Sequence, residues 1–131
     1  MRTIIWLCAA IALLAPVSQV TPLMAHHSYV PKYNPAKKIR LKGVITSVSY
    51  FNPHVFFTVE ARTRSGQTVS WTVETESISL SGKAGLTKAK MPIGGRVTLT
   101  GWQSRSGGAE MGLATYQLRK GRRMTIRRTP R

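Results

Sequence analysis

Apolar and polar residues alternate through most of the chain beyond residue 38. Within 39–50, Ile39, Leu41 and Ile45 fall on one side, and Val44, Val48 and Tyr50 on the other. The apolar phase changes near Gly43, and a glycine inside a strand marks a bulge or a sharp bend. A long, bent first strand is predicted. Asn52-Pro53 breaks the pattern, because proline cannot donate to a ladder. Residues 54–63 resume as a strand rich in Val and Phe. The turn 64–67, Arg-Ser-Gly-Gln, leads into a third strand at 68–74, where Val69, Trp71 and Val73 alternate. Trp71 and Val73 are expected in the core beside Phe57 and Val59.

Residues 77–90 have small and polar side chains and no period-two pattern. A short helix over 78–84, stopped by Gly85, fits them. Further strands are predicted at 96–102 and 111–118, and Gly121 allows a last turn before 124–126. Five strands, the first long and bent, with a helical piece between the third and fourth, match the order of an OB-fold. The predicted class is therefore all-β, a small five-stranded OB-like barrel. An open meander or a sandwich is the alternative.

The segment ahead of the barrel has a different character. Arg2 precedes a continuous apolar run over 4–14. A bilayer-spanning helix needs about 20 residues, so this run reads as a secretory signal peptide, with an uncleaved anchor as the alternative. The expected cut follows Ala25. The chain then divides into a leader (1–25), an extended histidine-bearing lead-in (26–38), the barrel (39–126) and a basic tail (127–131). No transmembrane span is expected in the mature chain. The only cysteine, Cys8, leaves with the leader, so disulfides cannot form. Export without cysteine points to a bacterial periplasmic or extracellular protein and away from a disulfide-stapled scaffold.

Charge changes the picture of partners. Lys and Arg number 20 against 4 acidic residues, for a net charge of +16, and all the acids are glutamates. Arg119, Lys120, Arg122, Arg123, Arg127, Arg128 and Arg131 crowd the last thirteen residues. They are candidate polyanion-binding residues, on a terminus (119–131) expected to lie at the surface and to be mobile. Export argues against nucleic acid and for an anionic partner at the cell envelope. A solvated basic face is the competing explanation.

The chain holds three histidines, His26, His27 and His54. Imidazole suits copper, zinc and nickel, and the mature chain has no Cys or Asp to compete. Cleavage after Ala25 would make His26 the first residue, so its free amine and ring could chelate one metal together. His27 or His54 would add a third nitrogen, an arrangement that resembles the histidine brace of copper monooxygenases. Copper is the candidate cofactor, with His26, His27 and His54 as its ligands. A polar terminus and a hydrogen-bonded loop histidine are the alternative. Catalysis has little support. No Asp exists for a Ser-His-Asp set, and no phosphate loop or dinucleotide glycine motif appears. Glu74 and Glu76, two apart at a strand end, could share a face as a carboxylate pair, but a glutamate there is more commonly solvated or an ion-pair partner for one of the many arginines. Copper redox chemistry of the brace type is the one enzymatic route.

Two motifs carry a resemblance. They are Ala25-His26-His27-Ser28 and Asn52-Pro53-His54, the latter followed by Val55-Phe56-Phe57. With the strand Leu41-Lys42-Gly43-Val44-Ile45 between them, the sequence resembles a family of small exported bacterial proteins classed as a domain of unknown function. The likeness continues through Trp71-Thr72-Val73-Glu74, Gly85-Leu86-Thr87 and 97–101. It implies export and a family label but no activity. The basic tail departs from the family pattern.

Overall fold

The structure is a computed structural model, and it describes residues 29–127. His26, His27, Arg128, Arg131 and the whole proposed leader lie outside the described residues. A single helical turn, α1 (Tyr29–Lys32), leads into β1 (Tyr33–Ser49). Next come β2 (Phe56–Arg62), β3 (Thr68–Glu74), α2 (Ile78–Lys83), a 3-10 turn (Lys88–Lys90), β4 (Arg96–Ser104), β5 (Glu110–Leu118) and β6 (Met124–Thr125). The strands lie in the order β3-β2-β1-β4-β5-β6, and a parallel β3–β5 pairing closes the first five into a barrel. Among the described residues no helix is long and apolar enough to cross a membrane.

β1 starts six residues earlier than the alternation indicates, inside the expected lead-in. Tyr33 pairs with Ser104, and regular pairing resumes only at Lys38 opposite Trp102. Pro35 has no N–H to donate to the ladder, and the intervening loop is held by Asn34 Oδ1 accepting the Ala36 N–H at 3.0 Å.

The phase change in β1 has another cause than Gly43. The register with β2 slips between Ile45 and Ser47, so Thr46 is the extra residue of a bulge. Ile45 points into the core before the bulge, and Val48 packs against the core after it. Gly43 instead serves close approach. It sits between Ala61 of β2 and Val97 of β4, and a Cβ there would run into the Glu60 carbonyl oxygen and Val59. Gly101 does the same against the Gly112 carbonyl. A second slip leaves Ala114 as the extra residue of β5, and its carbonyl accepts the N–H groups of Ile126 (2.8 Å) and Arg127 (3.1 Å).

The core collects the inward residues of all five barrel strands, among them Ile45, Phe57, Val59, Val73, Leu99 and Leu113. Leu86 and Met91 from the α2 connection join it. Phe57 meets Tyr116 edge to face at 6.1 Å. The Tyr116 hydroxyl donates to the Lys90 carbonyl at 2.5 Å, and burial pushes that phenol up to about 12. Val73, Phe57 and Val59 are buried, but Trp71 is only half-buried against the core. β3 meets β5 only over Thr72–Glu74, so Trp71 lies beyond the closure. Trp102 is the buried tryptophan, in a second cluster with Tyr33 and Ala114. α2 begins on Ser77, whose hydroxyl accepts the Leu80 N–H at 3.3 Å. It gives way to Gly85 at φ +89°.

The C-terminal segment departs from the expected mobile tail. Met124 and Thr125 pair with Tyr116 and Thr115, and Met124 and Ile126 pack against the core. Arg127 is held in an ion pair by Glu76.

Two tests follow from this packing. Gly43→Ala forces a Cβ against backbone that cannot yield, and it should cost about 1–3 kcal/mol or more. Gly82→Ala, in open space on α2, should be neutral or stabilising by up to about 1 kcal/mol. Urea midpoints read both, and equal midpoints would contradict the close approach at Gly43. Arg127→Ala strands the largely buried Glu76 carboxylate, for an expected loss of about 1–3 kcal/mol. An unchanged midpoint would place the tail outside the folded unit.

Candidate functional site

The loop between β1 and β2 presents His54. Its neighbour Val55 is fully buried. The Val55 N–H donates to the Glu76 carbonyl at 3.0 Å, and its carbonyl accepts the Thr75 N–H at 2.9 Å. These bonds carry the β2–β3 pairing beyond the Phe56–Glu74 pair. With Val55 pointing in, alternation sends His54 and Phe56 to the outer face. Glu74, opposite Phe56, shares that face, and His54 is its diagonal neighbour. The Asn52-Pro53 bond before His54 is cis, and Asn52 Oδ1 accepts the Ile78 N–H at 3.1 Å.

Glu74 would be open to solvent on a bare sheet. It is 5% exposed because the start of the described chain lies over it. The Tyr33 hydroxyl donates to Oε2 at 2.7 Å, and Lys32 Nζ donates to the same oxygen at 2.7 Å. His54 Nδ1 lies 2.5 Å from Oε1. Lys32 also sits over the Tyr33 and Phe56 rings, at 5.2 and 5.6 Å. The Arg105 N–H donates to the Lys32 carbonyl at 3.0 Å, so the β4–β5 loop holds α1 in place.

Burial pushes the Glu74 carboxyl up. The hydrogen bonds from Lys32 and Tyr33, the Lys32 charge and the His54 contact outweigh it, and the carboxyl ends below its ordinary value of 4.5. An ionised carboxylate only accepts. His54 Nδ1 therefore carries the proton and donates it, and Nε2 has no hydrogen-bond partner among the described residues. Every buried side-chain nitrogen and oxygen among the described residues is satisfied.

Glu74 and Glu76 do not form a carboxylate pair; each is an ion-pair partner instead, Glu74 of Lys32 and Glu76 of Arg127. β3 ends at Glu74, strand alternation ends with it, and Glu76 turns to Arg127. Of the three candidate metal ligands, only His54 is described, and the described residues contain no group of three His, Cys, Asp or Glu side chains able to hold a metal. The basic candidates separate. Arg119 and Lys120 are exposed at the end of β5, Lys120 in the left-handed region at φ 62°. Arg122 and Arg123 line a cleft of about 590 Å³ with Lys83 and Lys90. Arg127 is committed to Glu76.

Sequence reasoning missed Lys32, Tyr33 and the role of Glu74. The hairpin register through the 64–67 turn carries the signal for Glu74. It sets Phe56 against Glu74, and the histidine two residues before Phe56 must then be diagonal to that carboxylate. Nothing local marks Lys32 or Tyr33, because they reach Glu74 across 42 and 41 residues.

The linkage of Glu74 is testable. Its pKa is lowered on folding, so its contribution is fully present above pH 4.5 and is lost as pH falls through the lower folded value. Glu74→Gln should be less stable than wild type near neutrality, by about 1–3 kcal/mol. The gap should narrow as pH falls below 4.5. A gap in urea unfolding that stays constant through that range would show that the carboxylate charge carries none of the stability.

Comparison with known proteins adds to this geometry. The fold is similar to that of the mitochondrial single-stranded DNA binding protein Rim1 from S. cerevisiae, with a TM-score of 0.51 at 13% identity. The likeness covers 63% of this chain and 92% of that one. No curated protein sequence matches the chain. A family profile does match, over residues 14–115. The chain belongs to that family, DUF6152, a family of unknown function with, in this member, the OB-like barrel described above.

Proposed function

We propose that this protein is an exported OB-fold binding module that holds Cu(II) with His54 and the histidine pair His26 and His27. The observation that carries the reading is the His54–Glu74 contact at 2.5 Å. Histidines that ligate metals commonly donate their other ring N–H to a carboxylate, which fixes the tautomer and raises the basicity of the ligating nitrogen. Glu74 does this for His54 and leaves Nε2 to ligate.

The path of the chain supports the same reading. Lys32 and Tyr33 bind the carboxylate that binds His54. His27 and His26 are five and six residues before Lys32, so the histidine pair is within roughly 22 Å of extended chain from a residue already at the site. After cleavage behind Ala25, the His26 amine and ring would chelate the metal, with His27 and His54 supplying further nitrogens. Nitrogen ligands of this kind favour Cu(II) over Zn(II).

The likeness to a single-stranded DNA binding protein does not carry over as an activity. Such proteins stack bases on open aromatic side chains. Of Tyr50, Phe51, Phe56, Phe57 and Trp71, only Phe51 is largely exposed, at 71%.

Calorimetric copper titration of four proteins tests the proposal. They are the chain beginning at His26, the same chain with one added N-terminal residue, His54→Ala, and Glu74→Gln. The first should bind one copper. The added residue converts the His26 amine to an amide and should weaken binding at least tenfold, as should His54→Ala. Glu74→Gln should cost about 10–100-fold. Amine and imidazole bind metal only when deprotonated, so affinity should fall between roughly pH 8 and 6. Equal affinity in all four proteins would leave the histidines without this role.

A further inference from the structure

Four cations, three from strands and one from the turn after β5, converge on the outer face of the sheet, away from the Glu74 site. Strand alternation puts them there. Ile45, Val59, Ala61, Val97 and Leu99 point inward, so Lys42 of β1, Arg62 of β2 and Arg96 of β4 point outward. The ladders bring their strands together. Gly43 pairs with both Ala61 and Val97, and Val44 pairs with both Glu60 and Arg96. Arg119, just past β5, donates its N–H to the Arg96 carbonyl at 2.8 Å. The four side chains line one cleft of about 720 Å³ together with the hydroxyl residues Thr68 and Thr98.

The charges in this cleft are unbalanced. Among the described residues, the ion pairs are Lys32–Glu74, His54–Glu74 and Arg127–Glu76. None involves Lys42, Arg62, Arg96 or Arg119. The one acidic residue lining the cleft, Glu60, takes part in none of them either. Like charges on neighbouring strands repel, and these lie around one cavity on the scale of a Debye length. A bound anion would relieve that repulsion.

We infer that this cleft is a binding site for a multiply charged phosphate group. Three arginines offer planar forks that match phosphate oxygens two at a time. The Thr68 and Thr98 hydroxyls add donors at the rim. No aromatic side chain lines the cleft, so there is no platform for a base or another flat ring. The ligand is therefore recognised by its phosphates, carried either by a free oligophosphate or by a lipid phosphomonoester headgroup. The site contains no histidine and stands independently of the copper reading.

The test separates a built site from the general pull of a +16 chain. Inorganic tripolyphosphate is titrated calorimetrically at fixed ionic strength into three proteins: wild type, Arg96→Gln/Arg119→Gln, and Arg122→Gln/Arg123→Gln. Both double variants remove two charges, but only the first touches the cleft. Wild type should bind saturably with one ligand per chain. The cleft variant should lose about tenfold or more, and the other should stay within a few-fold of wild type. Should the cleft variant fail to fold by circular dichroism, Lys42→Gln/Arg62→Gln replaces it with the same expectation. Equal weakening in the two kinds of variant, or heats that never saturate, would overturn the site. Co-sedimentation with phosphatidylcholine vesicles, with and without phosphatidic acid, distinguishes the sources. Binding that requires phosphatidic acid and is displaced by tripolyphosphate assigns a lipid headgroup. Tripolyphosphate binding without vesicle binding assigns a free anion.

Discussion

The Glu74 carboxylate ties three separate stretches of chain together. It sits at the end of β3, where β3 meets β5 to close the barrel. It accepts from Lys32 and Tyr33 where α1 runs into β1, and it binds His54 from the β1–β2 loop. A buried carboxylate is costly unless its oxygens are satisfied. Here the partners outweigh the desolvation, and the group is held ionised. Much else depends on that charge: the burial of Tyr33 against Trp102 and Ala114, the placing of α1 against the β4–β5 loop, and the orientation of the His54 ring.

The barrel itself depends on two departures from regular pairing. A closed sheet must curve, and curvature comes from bulges and from places where backbones approach closely. Thr46 and Ala114 are the extra residues on β1 and β5, and Gly43 and Gly101 are the points of close approach. The Ala114 bulge has a second use. Its carbonyl receives Ile126 and Arg127, which anchors the end of the chain and brings the Arg127 guanidinium to Glu76. The same irregularity therefore bends β5 and fastens β6.

With so few acids, their placement sets the electrostatics of the whole molecule. Glu74 and Glu76 are both consumed by the fold, one under α1 and the other beneath the C-terminal segment. Lys42, Arg62, Arg96, Arg119, Arg122 and Arg123 take part in none of the ion pairs among the described residues. The two clefts that gather them lie on either side of the end of β5, one lined by Arg119 and the other by Arg122 and Arg123. The basic C-terminal run is thus split between surfaces and between roles. Arg127 pairs with Glu76, while Arg119, Lys120, Arg122 and Arg123 face solvent.

Much of the architecture is legible in the residues alone. Alternation marks the strands, and β3 comes out residue for residue, because a clean period of two ended by a turn leaves little freedom. Asn52-Pro53, the 64–67 turn and Gly85 punctuate the chain where the backbone chemistry requires it, and the element order suffices for an OB-like barrel. Tertiary structure decided the rest. The bulge lies at Thr46 and not at Gly43, because a change of phase reveals that an extra residue exists and not where the partner strand accommodates it. Trp71 and Trp102 both sit in alternating strands, but closure begins only at Thr72 and leaves Trp71 half open, while Tyr33 covers Trp102. His54 was recognisable as a candidate from its type and its Asn-Pro setting. Its partners Lys32 and Tyr33 were not, because a hydrogen bond spanning some forty residues leaves no local pattern. It exists only once closing the barrel has brought the two ends of that span to the same carboxylate.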